Sequence, residues 1–217
     1  MTSVFVKICG ITRHEDAAAA VAYGAGALGF VFWPGSPRFI DPYRARAIAA
    51  ELPPFVTPVG VFVNQDREYI KAVATLVGLG AVQLHGDEDP AFARTMNRPV
   101  IKAISVASGA ADVAEVAAIW PRNVLLLVDA HDPVRRGGTG VNADWASAAS
   151  LAAERPVLLA GGLGPENVAE ALTRVRPFGI DVSSGVERAP GIKDDARLAA
   201  LFVALRHAGS AIAGSLW

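Results

Sequence analysis

The chain has 217 residues, 52% of them hydrophobic and 19% charged, with a formal net charge of −1, which describes one large core under a modest polar skin. No cluster of Lys and Arg lies along one expected helix, so nucleic acid and anionic membrane surfaces are excluded as expected partners. The single cysteine, Cys9, excludes an internal disulfide and fits a reducing, cytoplasmic setting.

The chain opens with MTSVFVKICG, which lacks the basic region, long apolar stretch and cleavage site of a secretory signal. A buried strand is expected over residues 4–8. Thr12 with Glu15 then forms a capping-box pattern ahead of an Ala-rich helix. Residues 17–37 carry no charge and are long enough to suggest a membrane span, but Gly24, Gly26, Gly29, Pro34 and Pro37 interrupt them. A helix ending near Tyr23 and a strand over residues 27–32 explain the stretch better. Asp41 before Pro42 supplies a cap and a first-turn proline. A strand over residues 58–63 follows, and beyond Asn64 the residues Ile70, Val73, Ala74 and Val77 recur at helical spacing. Further apolar runs cover residues 81–84, 100–104, 124–128, 157–160 and 179–182, with Gly164 before Pro165 marking another helix start. The last residues, 208–217, read as a loosely held tail behind a catalytic domain at 1–207.

These runs are apolar without alternation, the pattern of strands buried on both faces of a parallel sheet. Eight of them at about 27 residues per unit point to a single eight-stranded parallel β/α (TIM) barrel. An open doubly wound sheet would be expected to carry G-x-G-x-x-G after its first strand, where this chain has Cys9, Gly10, Ile11 and Thr12.

Working groups of such a barrel stand at the C-terminal ends of the strands. Those positions hold Cys9, His85, Asp129 and Asp181, with Arg38 in the loop after the second strand. The runs AGGLGPEN and DVSSGVE leave the seventh and eighth strands through Gly161, Gly162, Ser184 and Gly185. Glycines let backbone N–H groups approach an anion, and paired at this place they favour phosphate over two ordinary turns. Asp129 alone is as readily a turn aspartate, and Cys9 alone as readily a packing residue. Together, a thiol and a carboxyl facing a phosphate site suit proton transfer on a sugar phosphate. Arg38 could snorkel over the rim or grip a carboxylate bidentately. His85 is ambiguous, and no spacing suggests a metal site.

The stretches KICGITRHEDA, GFVFWPGSPRFI, VGVFVN, VQLHGDE, LLLVDAHDP…GGTGVNADW, LLAGGLGPENV and DVSSGVERAPGIKD resemble the phosphoribosylanthranilate isomerase family, in order from residue 7 to residue 194. Ala143, where the family often has an aromatic residue, is a minor departure. The resemblance implies an Amadori rearrangement in tryptophan biosynthesis, converting phosphoribosylanthranilate into carboxyphenylamino-deoxyribulose phosphate without metal or organic cofactor. It implies Cys9 as general base, Asp129 as general acid, Arg38 on the anthranilate carboxylate and Asp181 near the substrate amine. It places the phosphate on Gly161, Gly162, Ser184 and Gly185. The implied partner is a small phosphoribosyl molecule, with association with neighbouring pathway enzymes as a further expectation.

The chemistry agrees with those roles. Ring opening needs a proton on the ribose ring oxygen, and the resulting iminium acidifies the C2 proton that a thiolate can take. A free thiol titrates at about 8.5 and a free aspartic acid at about 3.9, so both are expected to move toward neutrality, with Lys7 as a candidate to hold the thiol ionised. A dual-substrate relative acting also on the histidine-pathway analogue would usually carry aspartate at the strand-one position, so Cys9 argues against it. A non-catalytic sugar-phosphate binder would need neither Cys9 nor Asp129.

Overall fold

The computed structural model describes residues 4–105, 115, 117–129 and 145–214. Eight parallel strands, β1 (Phe5–Cys9), β2 (Ala27–Val31), β3 (Thr57–Phe62), β4 (Ala81–Leu84), β5 (Val100–Ser105), β6 (Leu125–Asp129), β7 (Val157–Ala160) and β8 (Gly179–Val182), close into a barrel in chain order. Among the described residues the helices outside it include α1 (His14–Tyr23), α2 (Pro42–Ala49), α3 (Arg67–Val77), α4 (Pro90–Ala93), α5 (Trp145–Glu154), α6 (Val168–Val175) and α7 (Asp195–Gly214). Each expected apolar run became a strand to within a residue at either end.

Alternate strand residues explain why the runs look continuous. Ala27, Val59, Ala81, Ile101, Ala103, Leu127, Leu158 and Ala160 pack together inside the barrel. Their neighbours Val6, Ile8, Leu28, Phe30, Leu84, Leu126, Val128 and Ile180 join the larger core shared with the helices. Both faces are therefore apolar, as a parallel sheet covered by helices requires.

Local capping follows the expected pattern at α2, where Asp41 accepts from the N–H groups of Tyr43 and Arg44. It departs at two other helices. Arg13, whose guanidinium has no acceptor, occupies the N-cap of α1 without a side-chain capping bond, and the Thr12 hydroxyl donates to the carbonyl of Gly191 across the fold. The helix expected to begin at Pro165 begins at Val168. Asn167 accepts from Gly164 N at 2.9 Å and donates to Gly162 O at 3.0 Å, holding residues 162–167 in a turn.

Beyond β8 lie a single 3-10 turn, Ser184–Val186, and a two-stranded hairpin of β9 (Glu187–Ala189) and β10 (Ile192–Lys193). Asp16, buried on α1, binds Arg13 and accepts from the N–H of Lys193 at 3.0 Å, fastening that hairpin to the barrel. Helix α7 continues through the boundary expected at residue 207 as far as Gly214. The GGTG run and Ala143 lie outside the described residues. Among the described residues no helix is long and apolar enough to cross a membrane.

Candidate active site

Cys9 is the last residue of β1, and its register partner on β2 is Gly29. A Cβ at Gly29 would stand 2.7 Å from the Cys9 Sγ and 3.1 Å from the Lys7 Nζ. The absent side chain makes room for both groups. Lys7, two residues earlier on the same inward face, is fully buried and donates to Asp181 Oδ1 at 2.9 Å from its register position on β1.

The electrostatics of this trio are opposed. Burial pushes the Lys7 ammonium toward neutrality, but the Asp181 carboxylate and then Cys9 outweigh it, leaving its pKa above the usual lysine value. Burial pushes the Cys9 thiol up; Lys7 pulls it down, Asp181 raises it again and Lys193 lowers it. The net direction is up, against the fall expected from the sequence, because burial outweighs the ammonium.

Asp129 ends β6 and faces His85, whose Nε2 lies 3.9 Å from Asp129 Oδ2. His85 Nδ1 lies 3.0 Å from the Nε2 of Gln83, which is buried inside the barrel. With the amide nitrogen as donor, Nδ1 accepts and the neutral ring carries its proton on Nε2, the nitrogen nearer Asp129. Burial lowers the His85 pKa and prevails over the pull of Asp129, so the neutral ring is favoured.

Arg38 neither snorkels nor stands alone. Its Nε and Nη2 both donate to the Glu187 carboxylate, at 2.6 to 3.1 Å. Glu187 also accepts from Lys193 Nζ at 2.8 Å, and that ammonium donates in turn to the carbonyls of Cys9 and Ser183. Burial opposes ionisation of Glu187, but the bonds from Arg38 and Lys193 outweigh it and hold its pKa below the usual carboxylate value. Burial lowers the pKa of Lys193 despite Glu187. Glu187 and Lys193 both lie in the quoted run DVSSGVERAPGIKD, yet only the fold pairs them with residue 38.

The two glycine loops meet. Gly161 and Gly162 take positive φ, 95° and 63°, after β7. A Cβ at Gly185 would overlap the Leu163 carbonyl, so the loop after β8 lies directly on the loop after β7. Arg197 binds the Gly185 carbonyl and Glu166 at 2.8 Å each, bracing the pair from outside. Among the described residues no group of three or more His, Cys, Asp or Glu is placed to hold a metal ion.

The strand ends thus gather a thiol, a carboxyl group, a histidine, a buried Lys–Asp pair and two touching glycine loops on one rim, the arrangement of a β/α-barrel enzyme. Residues 6–204 match the family model of N-(5'-phosphoribosyl)anthranilate isomerase. A relative of that name from Pseudomonas fluorescens is 47% identical over 98% of this chain and 100% of its own. The crystal structure of phosphoribosyl anthranilate isomerase from Thermotoga maritima superposes with a TM-score of 0.86 at 45% identity, over 94% of this chain and 99% of that one. A second structure of such an isomerase, at 43% identity and a TM-score of 0.83 over 94% and 99% of the two chains, holds reduced 1-(o-carboxyphenylamino)-1-deoxyribulose 5-phosphate. The chain belongs to the N-(5'-phosphoribosyl)anthranilate isomerase family, enzymes of tryptophan biosynthesis.

Proposed function

We propose that the chain converts N-(5'-phosphoribosyl)anthranilate into 1-(o-carboxyphenylamino)-1-deoxyribulose 5-phosphate, with Asp129 as general acid and Cys9 as general base. The observation that carries this reading is the placing of the two groups at the ends of β6 and β1. His85 stands beside Asp129 on one side of the mouth, and the Lys7–Asp181 pair stands beside Cys9 on the other.

In this reading Asp129 gives its proton to the ribose ring oxygen while the bond from that oxygen to C1 breaks. The nitrogen lone pair forms the C1 iminium, which draws electrons from C2. The Cys9 thiolate takes the C2 proton and leaves an enolamine. Protonation at C1 and loss of the C2 hydroxyl proton give the ketone, so no atom is gained or lost. Lys7 stabilises the thiolate, opposing the burial that disfavours it. Phosphate is held by backbone N–H groups of the Gly161–Gly162 and Ser184–Gly185 loops, and Arg38 takes the anthranilate carboxylate. Asp181, held by Lys7, is assigned in this reading to the substrate amine. The small phosphoribosyl substrate is the partner the rim suits.

The test is turnover of freshly prepared N-(5'-phosphoribosyl)anthranilate by the purified chain, followed by loss of its fluorescence. Enzyme-dependent loss that saturates with substrate is expected. Decay at the buffer rate would refute the reading.

A further inference from the structure

We propose that Glu187 is a positioning residue that aims Arg38 at the substrate carboxylate; this rests on the isomerase reading above. Glu187 sits at the start of β9, with only 4% of its side chain exposed. Its carboxylate takes Nε and Nη2 of Arg38, so one edge of the guanidinium is occupied and, among the described residues, Nη1 is left for a second, planar acceptor.

Two cations share this one carboxylate. Lys193 is wholly buried, whereas the Arg38 side chain is 23% exposed, so of the two cations it is the guanidinium that a ligand can reach. The Arg38 stem is also fixed: its Cδ lies 2.6 Å from where a Cβ on Gly10 would stand, directly beside Cys9. Lys193, held by the other side of Glu187, grips the Cys9 carbonyl. A single buried carboxylate therefore sets the direction of the anion-binding fork. Buried ion pairs contribute little net stability over apolar packing, so position is the property this cluster supplies.

The inference concerns the substrate's carboxylate, so the decisive comparison uses a substrate without one. Wild type, Glu187→Gln, Glu187→Asp and Arg38→Ala would be assayed on N-(5'-phosphoribosyl)anthranilate and on the corresponding adduct of aniline. Glu187→Gln should raise KM for the anthranilate substrate on the order of ten-fold, the effect of losing one hydrogen bond to a charged group, and leave kcat/KM for the aniline adduct within about two-fold. Glu187→Asp, which keeps the charge, should recover part of the loss. In an Arg38→Ala background, Glu187→Gln should add nothing further. Equal losses on both substrates, or losses that multiply with Arg38→Ala, would overturn the positioning role while wild-type activity still upheld the isomerase reading. A wild type inactive on both substrates would overturn the reading and the proposal together. If Glu187→Gln does not fold, the same comparison with Glu187→Asp decides: a penalty confined to the anthranilate substrate supports the role, and an equal penalty overturns it.

Discussion

Burial at the end of β1 opposes ionisation of Cys9, and the ammonium of Lys7 opposes that burial. The working fraction of thiolate depends on this contest, and it grows as pH rises through the thiol's pKa. Lys7→Gln keeps a donor for Asp181 but removes the charge that pulls the thiol down. The alkaline-rising limb of kcat/KM should therefore move to higher pH in this variant. Because Cys9 is the single cysteine of the chain, its thiolate ultraviolet absorbance can be titrated directly and should move the same way. An unmoved or more acidic midpoint would remove Lys7 from the control of Cys9. The same shift has a stability counterpart with a definite sign. A thiol whose pKa is raised on folding costs stability as pH climbs past its ordinary value of about 8.5, since the unfolded chain ionises first. Lys7 and Cys9 were readable as neighbours on one strand face. Asp181, which fixes Lys7, comes from the opposite end of the chain, 174 residues away, and only barrel closure between β1 and β8 brings it there.

At the level of elements, the pairing of β1 with β2 matters as much as the residues it carries. Gly29 faces Cys9 in register, and a methyl group there would press on the Cys9 Sγ at 2.7 Å and on its Cα at 3.1 Å. Gly29→Ala should cost about 1–3 kcal/mol of stability as an overpacked site. Through displacement of the thiol it should also lower kcat by about 10²-fold, with ligand affinity much less affected. A variant with wild-type kcat would show that the space beside Cys9 is not needed. Strands were legible at this scale because burial on both faces leaves an unbroken apolar run. Helix starts were less so. Thr12 had the residue type of a cap, but a distant carbonyl, that of Gly191, took its hydroxyl. Pro165 had the residue type of a first turn, but the Asn167 side chain satisfied the groups around it and delayed α6 to Val168. Local chemistry proposes such caps, and long-range partners decide between them.

For the molecule as a whole, barrel closure followed from the number and spacing of the apolar runs, and the rim positions of Cys9, Asp129 and the glycine loops followed from closure. The network joining Arg38, Glu187, Lys193 and the Cys9 carbonyl did not. Arg38 and Glu187 are 149 residues apart, and nothing local in either segment specifies the other. Nor did the sequence show that Gln83 orients His85, since an amide inside an apolar run has no visible partner until the strands are paired. The account stands most directly on Cys9 as the base, and its sharpest measurement is turnover by Cys9→Ser. The hydroxyl is nearly the same size but is rarely ionised near neutral pH. Using freshly prepared N-(5'-phosphoribosyl)anthranilate, kcat should fall by at least ~10²-fold, the usual contribution of a general base. Affinity for the reduced product and thermal stability should stay close to wild type. A serine variant that isomerises the substrate at nearly the wild-type rate would contradict the account.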